Sequence, residues 1–212
     1  FFKLFINKFD KFFPIAPDCK VFIKKIYSIP ESKIVDLPLP GDSSILEFYE
    51  SERKNYRNKL KLTDDNIVLV HTGKLPEEKE TLLVLESFKK IKNKNYRLII
   101  AGSIDNSFEK TFNRFLKNDN RIIFIGWISP IEMKKLFCAS DVMLQPGSLS
   151  QIFVDAICCG LPIILNNTAQ GKSLTSHNNG LLIHKKDTDS IISSIKNITH
   201  KNIYNEFKKN SI

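Results

Sequence analysis

Three short apolar runs in this sequence end in glycine and a fourth in a Pro-Gly turn, with residues able to meet a ligand at or just after each end: Thr72-Gly73-Lys74, Gly102-Ser103, Gly126-Trp127-Ile128 and Pro146-Gly147-Ser148-Leu149-Ser150. Glycine at such an end either closes the run or lets the backbone approach a bound molecule closely. Lys74 and Lys79 follow the first run, as anion ligands or as solvated surface lysines. Ser148, Leu149 and Ser150 open a helical period over 150–159. The unpaired N–H groups and dipole of a helix start favour an anion there, and Ser148 or Ser150 also suits an ordinary N-cap. Asp155 stands between Phe153-Val154 and Ala156-Ile157, a carboxylate on an otherwise apolar helix. Trp127 offers a ring that can stack on a planar ligand or pack at a rim. The four histidines are scattered, without the spacing of a metal site or a Ser-His-Asp triad.

These residues need elements to carry them. From residue 67 onward, short apolar runs alternate with longer helical periods. Strands are expected over 67–70, 97–101, 122–125, 142–144, 163–165 and 181–183. Helices are expected over 80–92, 107–116, 130–139, 150–159 and 188–198. In the first of these, Leu82, Leu83, Leu85, Phe88 and Ile91 fall at helical spacing. Pro130 suits a first helical position, and Gly160 with Pro162 stops the helix before them. Near-continuous apolar strands alternating with helices mean a parallel sheet covered on both faces, a doubly wound α/β fold. Ligands in such folds bind at the carboxyl ends of the strands, where the glycine-closed runs end.

Before residue 67 the texture changes. Short strands are expected at 12–15 and 33–37, a helix or helical loop over 43–60, and an amphipathic helix over 1–15, packed on another domain or lying on a membrane. Pro30, Pro38, Pro40 and Gly41 break the region up, as in a linker. The sequence opens at Phe1 rather than Met, so a piece of a longer chain is expected.

The 212 residues, 42% hydrophobic and 26% charged, are enough for a globular core. The net charge of +9 is spread along the chain, without an arginine-rich arm, a nucleic-acid-binding aromatic signature or a zinc finger, so nucleic acid is not the expected partner. Cys19, Cys138, Cys158 and Cys159 form no C-x-x-C pair, and the adjacent Cys158 and Cys159, in an apolar segment, suit buried thiols in a reducing compartment. No apolar run is long enough to span a bilayer, and no signal peptide is recognised.

Six segments, in order and at consistent spacing, resemble the C-terminal, donor-binding domain of GT-B glycosyltransferases of retaining family 4 and the related glycogen and sucrose synthases. They are Leu37-Pro38-Leu39-Pro40-Gly41-Asp42 (an interdomain linker); His71-Thr72-Gly73-Lys74-Leu75 with Lys79; Leu98-Ile99-Ile100-Ala101-Gly102; Ile123-Phe124-Ile125-Gly126-Trp127; Cys138-Ala139-Ser140-Asp141-Val142; and Asp155-Ala156-Ile157-Cys158-Cys159-Gly160-Leu161-Pro162. The resemblance covers about residues 34–198. It implies a Rossmann-like C-terminal half at 41–212, with 1–40 as the end of an N-terminal acceptor domain and linker. It also implies a nucleoside-diphosphate sugar as donor, transferred with retention to a glycan or lipid-linked acceptor. No metal or other cofactor is expected.

On this resemblance Gly73, Lys74, Lys79, Ser148, Leu149 and Ser150 would bind the donor diphosphate, Asp155 the ribose, and Gly126, Trp127 and Ile128 the base. The catalytic residues are not assigned, because the N-terminal domain supplies its share from outside this sequence. A location in the cytoplasm, peripherally on an anionic membrane and in surface-glycan synthesis, is part of the same expectation. The sequence departs from the family at three places. Lys74 stands where arginine is usual, and gives up the bidentate fork. Asp155 is one methylene shorter than the usual glutamate. Gly147 replaces the first glutamate of a paired acidic motif. That last departure keeps a second reading open, a nucleotide-binding or interaction module without catalysis. A dinucleotide-binding dehydrogenase is disfavoured, since Gly73 opens no G-x-x-G spacing and no acid follows Ala101-Gly102.

Overall fold

The structure, a computed structural model, describes residues 2–76, 80–148 and 150–211. The apolar runs become six parallel strands, β1 (Ile67–Leu75), β2 (Tyr96–Ile104), β3 (Ile122–Gly126), β4 (Val142–Gln145), β5 (Ile163–Asn166) and β6 (Gly180–Ile183), ordered β3-β2-β1-β4-β5-β6. The order reverses between β1 and β4, which opens a crevice at their carboxyl ends. Alternate residues of each strand feed opposite faces. Leu69, Leu98, Ile100, Val142 and Leu144 pack into one core cluster, and Val68, Val70, Ile99, Ala101 and Met143 into the other.

Helices α4 (Thr81–Lys90), α5 (Glu109–Asn118), α9 (Thr188–Ile198) and α10 (Lys201–Asn210) contribute to the first cluster. Helices α3 (Tyr49–Lys59), α6 (Pro130–Ala139) and α7 (Ile152–Cys158) contribute to the second. The doubly wound expectation therefore holds, and the helix at 188–198 has the expected bounds. Helix α8 (Ala169–Leu174), with α10, was not anticipated.

Several boundaries move for physical reasons. Strand β1 continues past Thr72 to Leu75 because Gly73 and Lys74 remain in register with Gly102 and Ser103 of β2. Gly73 and Lys74 thus end a strand rather than begin a loop. The 107–116 helix lies at Glu109–Asn118. The 150–159 helix starts at Ile152, later than expected, with Gln151 as its N-cap and no capping bond from the Gln151 side chain. The backbone forms that first turn instead, with the Phe153 and Val154 N–H groups donating to the Ser150 and Gln151 carbonyls at 3.4 and 2.9 Å. At the other end Gly160, φ +71°, donates to Ile157 at 2.8 Å while Leu161 donates to Ala156 at 3.1 Å. This left-handed stop needs glycine.

The N-terminal segment departs most from expectation. Among the described residues 2–15 no single amphipathic helix runs through: α1 (Phe2–Phe5) and a 3-10 turn (Ile6–Lys8) are followed by extended chain. Pro14 and Pro17 interrupt any longer helix. The expected strands at 12–15 and 33–37 reduce to a parallel bridge between Phe12 and Ile34, joined by Phe12 N–H to Lys33 carbonyl at 2.8 Å and Leu37 N–H to Pro14 carbonyl at 3.1 Å. The amphipathic helix of this region is α2 (Pro17–Tyr27), with Pro17 at its first turn. A small cluster of Ile6, Ile29 and Ile34 backs it, separate from the two main clusters. The helix or helical loop expected over 43–60 takes the form of a 3-10 turn (Ser44–Phe48) leading into α3.

Candidate functional site

The strand ends converge because two glycines let them. Gly102 has φ +140°, and a Cβ there would meet the Gly73 carbonyl oxygen at 1.8 Å. No other residue permits that approach. Gly73, φ +121°, faces open space. Beside them His71 is fully buried at the crossover. Its Nδ1 lies 2.9 Å from the Leu144 carbonyl, which can only accept, so Nδ1 carries the proton. Its Nε2 lies 3.0 Å from the Thr81 hydroxyl. His71 thus ties β1 to β4 and to the start of α4, a role its sequence context did not reveal.

A pocket of about 310 Å³ lies at these ends. Gly73 and Gly102 line it together with Lys74, Ser103, Trp127 and Ile128. Helix α6 adds Met133, Lys134 and Phe137, and α7 adds Ile152 and Asp155. Gly73, Lys74, Trp127, Ile128 and Asp155, far apart in sequence, therefore share one cleft. Gly126, φ +69°, turns the chain just before Trp127 and is not among the lining residues, nor are Ser148 and Ser150. Lys79 and Leu149 lie outside the described residues.

Asp155 is half-buried, and no side-chain hydrogen bond to its carboxylate occurs among the described residues. Burial raises its pKa above the ordinary carboxylate value; Lys134 opposes that rise and Asp42 adds to it. A carboxylate in this state has open lone pairs for donors brought by a ligand. Trp127 is 76% exposed, its ring available at the rim.

Lys134 was missed by sequence reasoning: it stands in no motif and is one of 32 Lys and Arg residues. Here it forms an ion pair with Asp42, and its side chain is only 17% exposed. That pair, with the Ser44 N–H, holds the Asp42 carboxyl well below the usual carboxylate range. The linker is pinned on the other side too. Gln151 Nε2 donates to the Pro40 carbonyl at 3.1 Å, and a Cβ on Gly41 would meet Cys158 Sγ at 2.1 Å. A larger cavity, about 550 Å³, runs between this linker, α7 and α8, away from the β1–β3 strand ends. Among the described residues no three His, Cys, Asp or Glu side chains gather to hold a metal ion.

The carboxyl end of α6 is fixed by charge. Arg53 donates to the Cys138 and Ser140 carbonyls at 2.9 Å each, and Arg57 to the Ala139 carbonyl at 2.9 Å. Asp141 accepts from Arg53 at 2.7 Å and from the Val68 N–H at 2.7 Å. Cations at a helix carboxyl end are favourable, and these anchor the helix that carries Lys134 into the pocket.

Residues 52–212 match the family profile described as glycosyl transferases group 1. The chain belongs to this family. Among its relatives is an uncharacterized glycosyltransferase of Methanocaldococcus jannaschii, 24% identical over 186 residues, which cover 84% of this chain and 47% of that protein. Another is the capsular polysaccharide biosynthesis glycosyltransferase CapM of Staphylococcus aureus, 25% identical over 179 residues, 79% of this chain and 46% of CapM. The chain thus spans about half the length of these curated relatives. Among solved structures, Anabaena HepE in complex with UDP superposes with a TM-score of 0.81 at 16% identity, over 95% of this chain and 57% of HepE. HepE has also been solved with UDP-glucose. The group 1 domain here accordingly has the Rossmann-like fold of a GT-B half. No helix among its described residues is long and apolar enough to cross a membrane.

Proposed function

We propose that this group 1 domain binds a nucleoside-diphosphate sugar in the β1–β3 pocket and serves as the donor half of a retaining glycosyltransferase. The observation that carries this is Asp155, a half-buried carboxylate in the cleft that also holds Lys74 and Trp127, with no side-chain hydrogen bond among the described residues. A ribose supplies two adjacent hydroxyl donors of the kind such a carboxylate accepts. Trp127 and Ile128, following Gly126, take the base. Gly73 and Lys74 meet the diphosphate, and Lys79 and the Ser148-Leu149-Ser150 segment are the further diphosphate ligands that the family resemblance implies.

Charge grows on a nucleoside diphosphate as the sugar leaves, and groups aimed at that growing charge lower the barrier. Lysine and backbone N–H groups meet it here, without a metal or other cofactor. Residues 1–40 are the end of the acceptor domain. The whole protein would pass the sugar to a glycan or lipid-linked acceptor at the cytoplasmic face of a membrane, with the exposed Phe9 and Phe13 touching its surface. HepE, solved with UDP and UDP-glucose, makes UDP the first nucleotide to try.

Calorimetric titration with UDP, GDP and ADP tests the reading. One of them should bind, and Asp155→Ala should weaken that binding by about 1–3 kcal/mol, the scale of hydrogen bonds to a charged group. Absence of binding by all three at millimolar concentration refutes it. Gly147, buried where the family usually carries a glutamate, favours the alternative of a nucleotide-binding module without catalysis. Binding without donor hydrolysis or transfer, measured with the full-length protein, would select that alternative.

A further inference from the structure

The pocket is bounded by two helices, α6 and α7, and one short stretch of linker touches both. Asp42 pairs with Lys134 on α6. Two residues earlier, the Pro40 carbonyl accepts from Gln151 at the start of α7. Lys134 and Asp155 line the same pocket. Lys134 is therefore bonded to one carboxylate, in the linker, and shares a pocket with a second, in the site, and the linker leads directly to the N-terminal segment.

The charged and titratable groups around Asp155 come from four elements. Lys134 is on α6 and Asp42 on the linker; Cys158 is one turn on along α7; Lys74 lines the same pocket from the end of β1. Lys134 and Asp42 act on Asp155 with opposite sign, although they are bonded to each other.

We propose that Lys134 is a positioning residue of the donor site: held by Asp42 and lining the same pocket as Asp155, it couples the Asp155 acceptor to the position of the linker. A linker movement that draws Asp42 away leaves Lys134 to Asp155 and strengthens the acceptor. A movement that carries Lys134 off with Asp42 weakens it. The functional meaning of this coupling rests on the nucleotide reading above, but its electrostatics can be read without a nucleotide.

The Asp155 carboxyl midpoint, followed by carbon-detected NMR in the ligand-free chain, is the direct test, with UDP titrations across pH alongside. K134Q should move the midpoint upward by about half a pH unit or more, through loss of a neighbouring positive charge. D42N should move it downward, and K134R should restore the wild-type value. UDP affinity should fall on the acid side at correspondingly shifted pH. A purely structural ion pair predicts the same direction for K134Q and D42N, since either substitution breaks the one contact. Midpoints moving together, or not at all, or any other pattern, overturn the proposal. If UDP binds the wild type and the midpoints move together, the coupling fails and the donor reading stands. If the midpoints diverge as stated and no nucleotide binds, the donor reading fails and the coupling stands.

Discussion

Replacing Arg57 with Met tests how the α6 wall of the pocket is held. Arg57 is 3% exposed and donates to three carbonyls, those of Ala139, Thr63 and Asn66, at 2.9, 2.6 and 2.7 Å. Its guanidinium also lies 3.6 Å from the Asp141 carboxylate. Each hydrogen bond to a charged donor contributes about 1.5–3 kcal/mol net, and a buried acceptor left unpaired carries its own penalty. Simple addition overshoots, because Met fills part of the volume and Asp141 keeps Arg53 and the Val68 N–H at 2.7 Å each. A loss of about 3–5 kcal/mol is expected, the range for breaking a buried charged contact, and it lowers the melting temperature by about 10 °C for a chain of this size. Urea unfolding followed by circular dichroism measures it, with an unchanged m value as the sign of an unaltered unfolded state. Adding Asp141→Asn to the same protein should reveal coupling of about 0.5–3 kcal/mol between the two positions. A single-variant loss below about 1 kcal/mol would refute the view that this buried charge network anchors α6.

Asp155→Asn should stabilise the ligand-free protein near neutral pH while weakening UDP binding. Burial raises the Asp155 pKa, so the folded state holds its proton more tightly than the unfolded chain, and stability falls as pH rises through that raised value. Urea midpoints for wild type and variant should therefore differ at about pH 7 and converge toward about pH 4; equal midpoints at both would count against the burial. Gly102→Ala places a Cβ 1.8 Å from the Gly73 oxygen in a backbone region closed to alanine, so a loss of about 1–3 kcal/mol on urea unfolding, with reduced UDP affinity by calorimetry, is expected. Trp127→Ala, at a residue 76% exposed, should leave stability within about 0.5 kcal/mol by thermal unfolding. It should weaken UDP binding by about 0.5–1.5 kcal/mol if the ring stacks on the base; unchanged affinity would assign Trp127 to the rim alone.

The sheet could be read from the sequence because strands buried on both faces, such as Val68-Leu69-Val70 and Leu98-Ile99-Ile100-Ala101, are unbroken apolar runs that admit few other structures. Strand ends were less legible. Lys74 is polar and follows a glycine, and only its pairing with Ser103 of β2 keeps it in the sheet. The N-terminal segment misled because its phenylalanines suggest one amphipathic face, whereas two prolines divide it and the exposed apolar residues of α2, Val21, Phe22 and Ile26, form a separate face. Helix α10 escaped because its sequence is mostly polar and only Phe207 is buried. Within the pocket, residues adjoining glycine-closed strand ends were identifiable from sequence. Lys134 was not, because its significance comes from Asp42, 92 positions away in the chain.

The paired glycines at the ends of β1 and β2 leave a floor of bare peptide in the pocket. Whatever rests there meets main-chain amides, which every amino acid carries alike, so ordinary substitutions cannot alter that contact without first breaking the backbone geometry. Variation is channelled to the walls, where Trp127 and Lys134 stand on separate elements and can change one at a time. A lineage carrying this floor can thus change what the pocket prefers through rim residues while the seat beneath them stays the same.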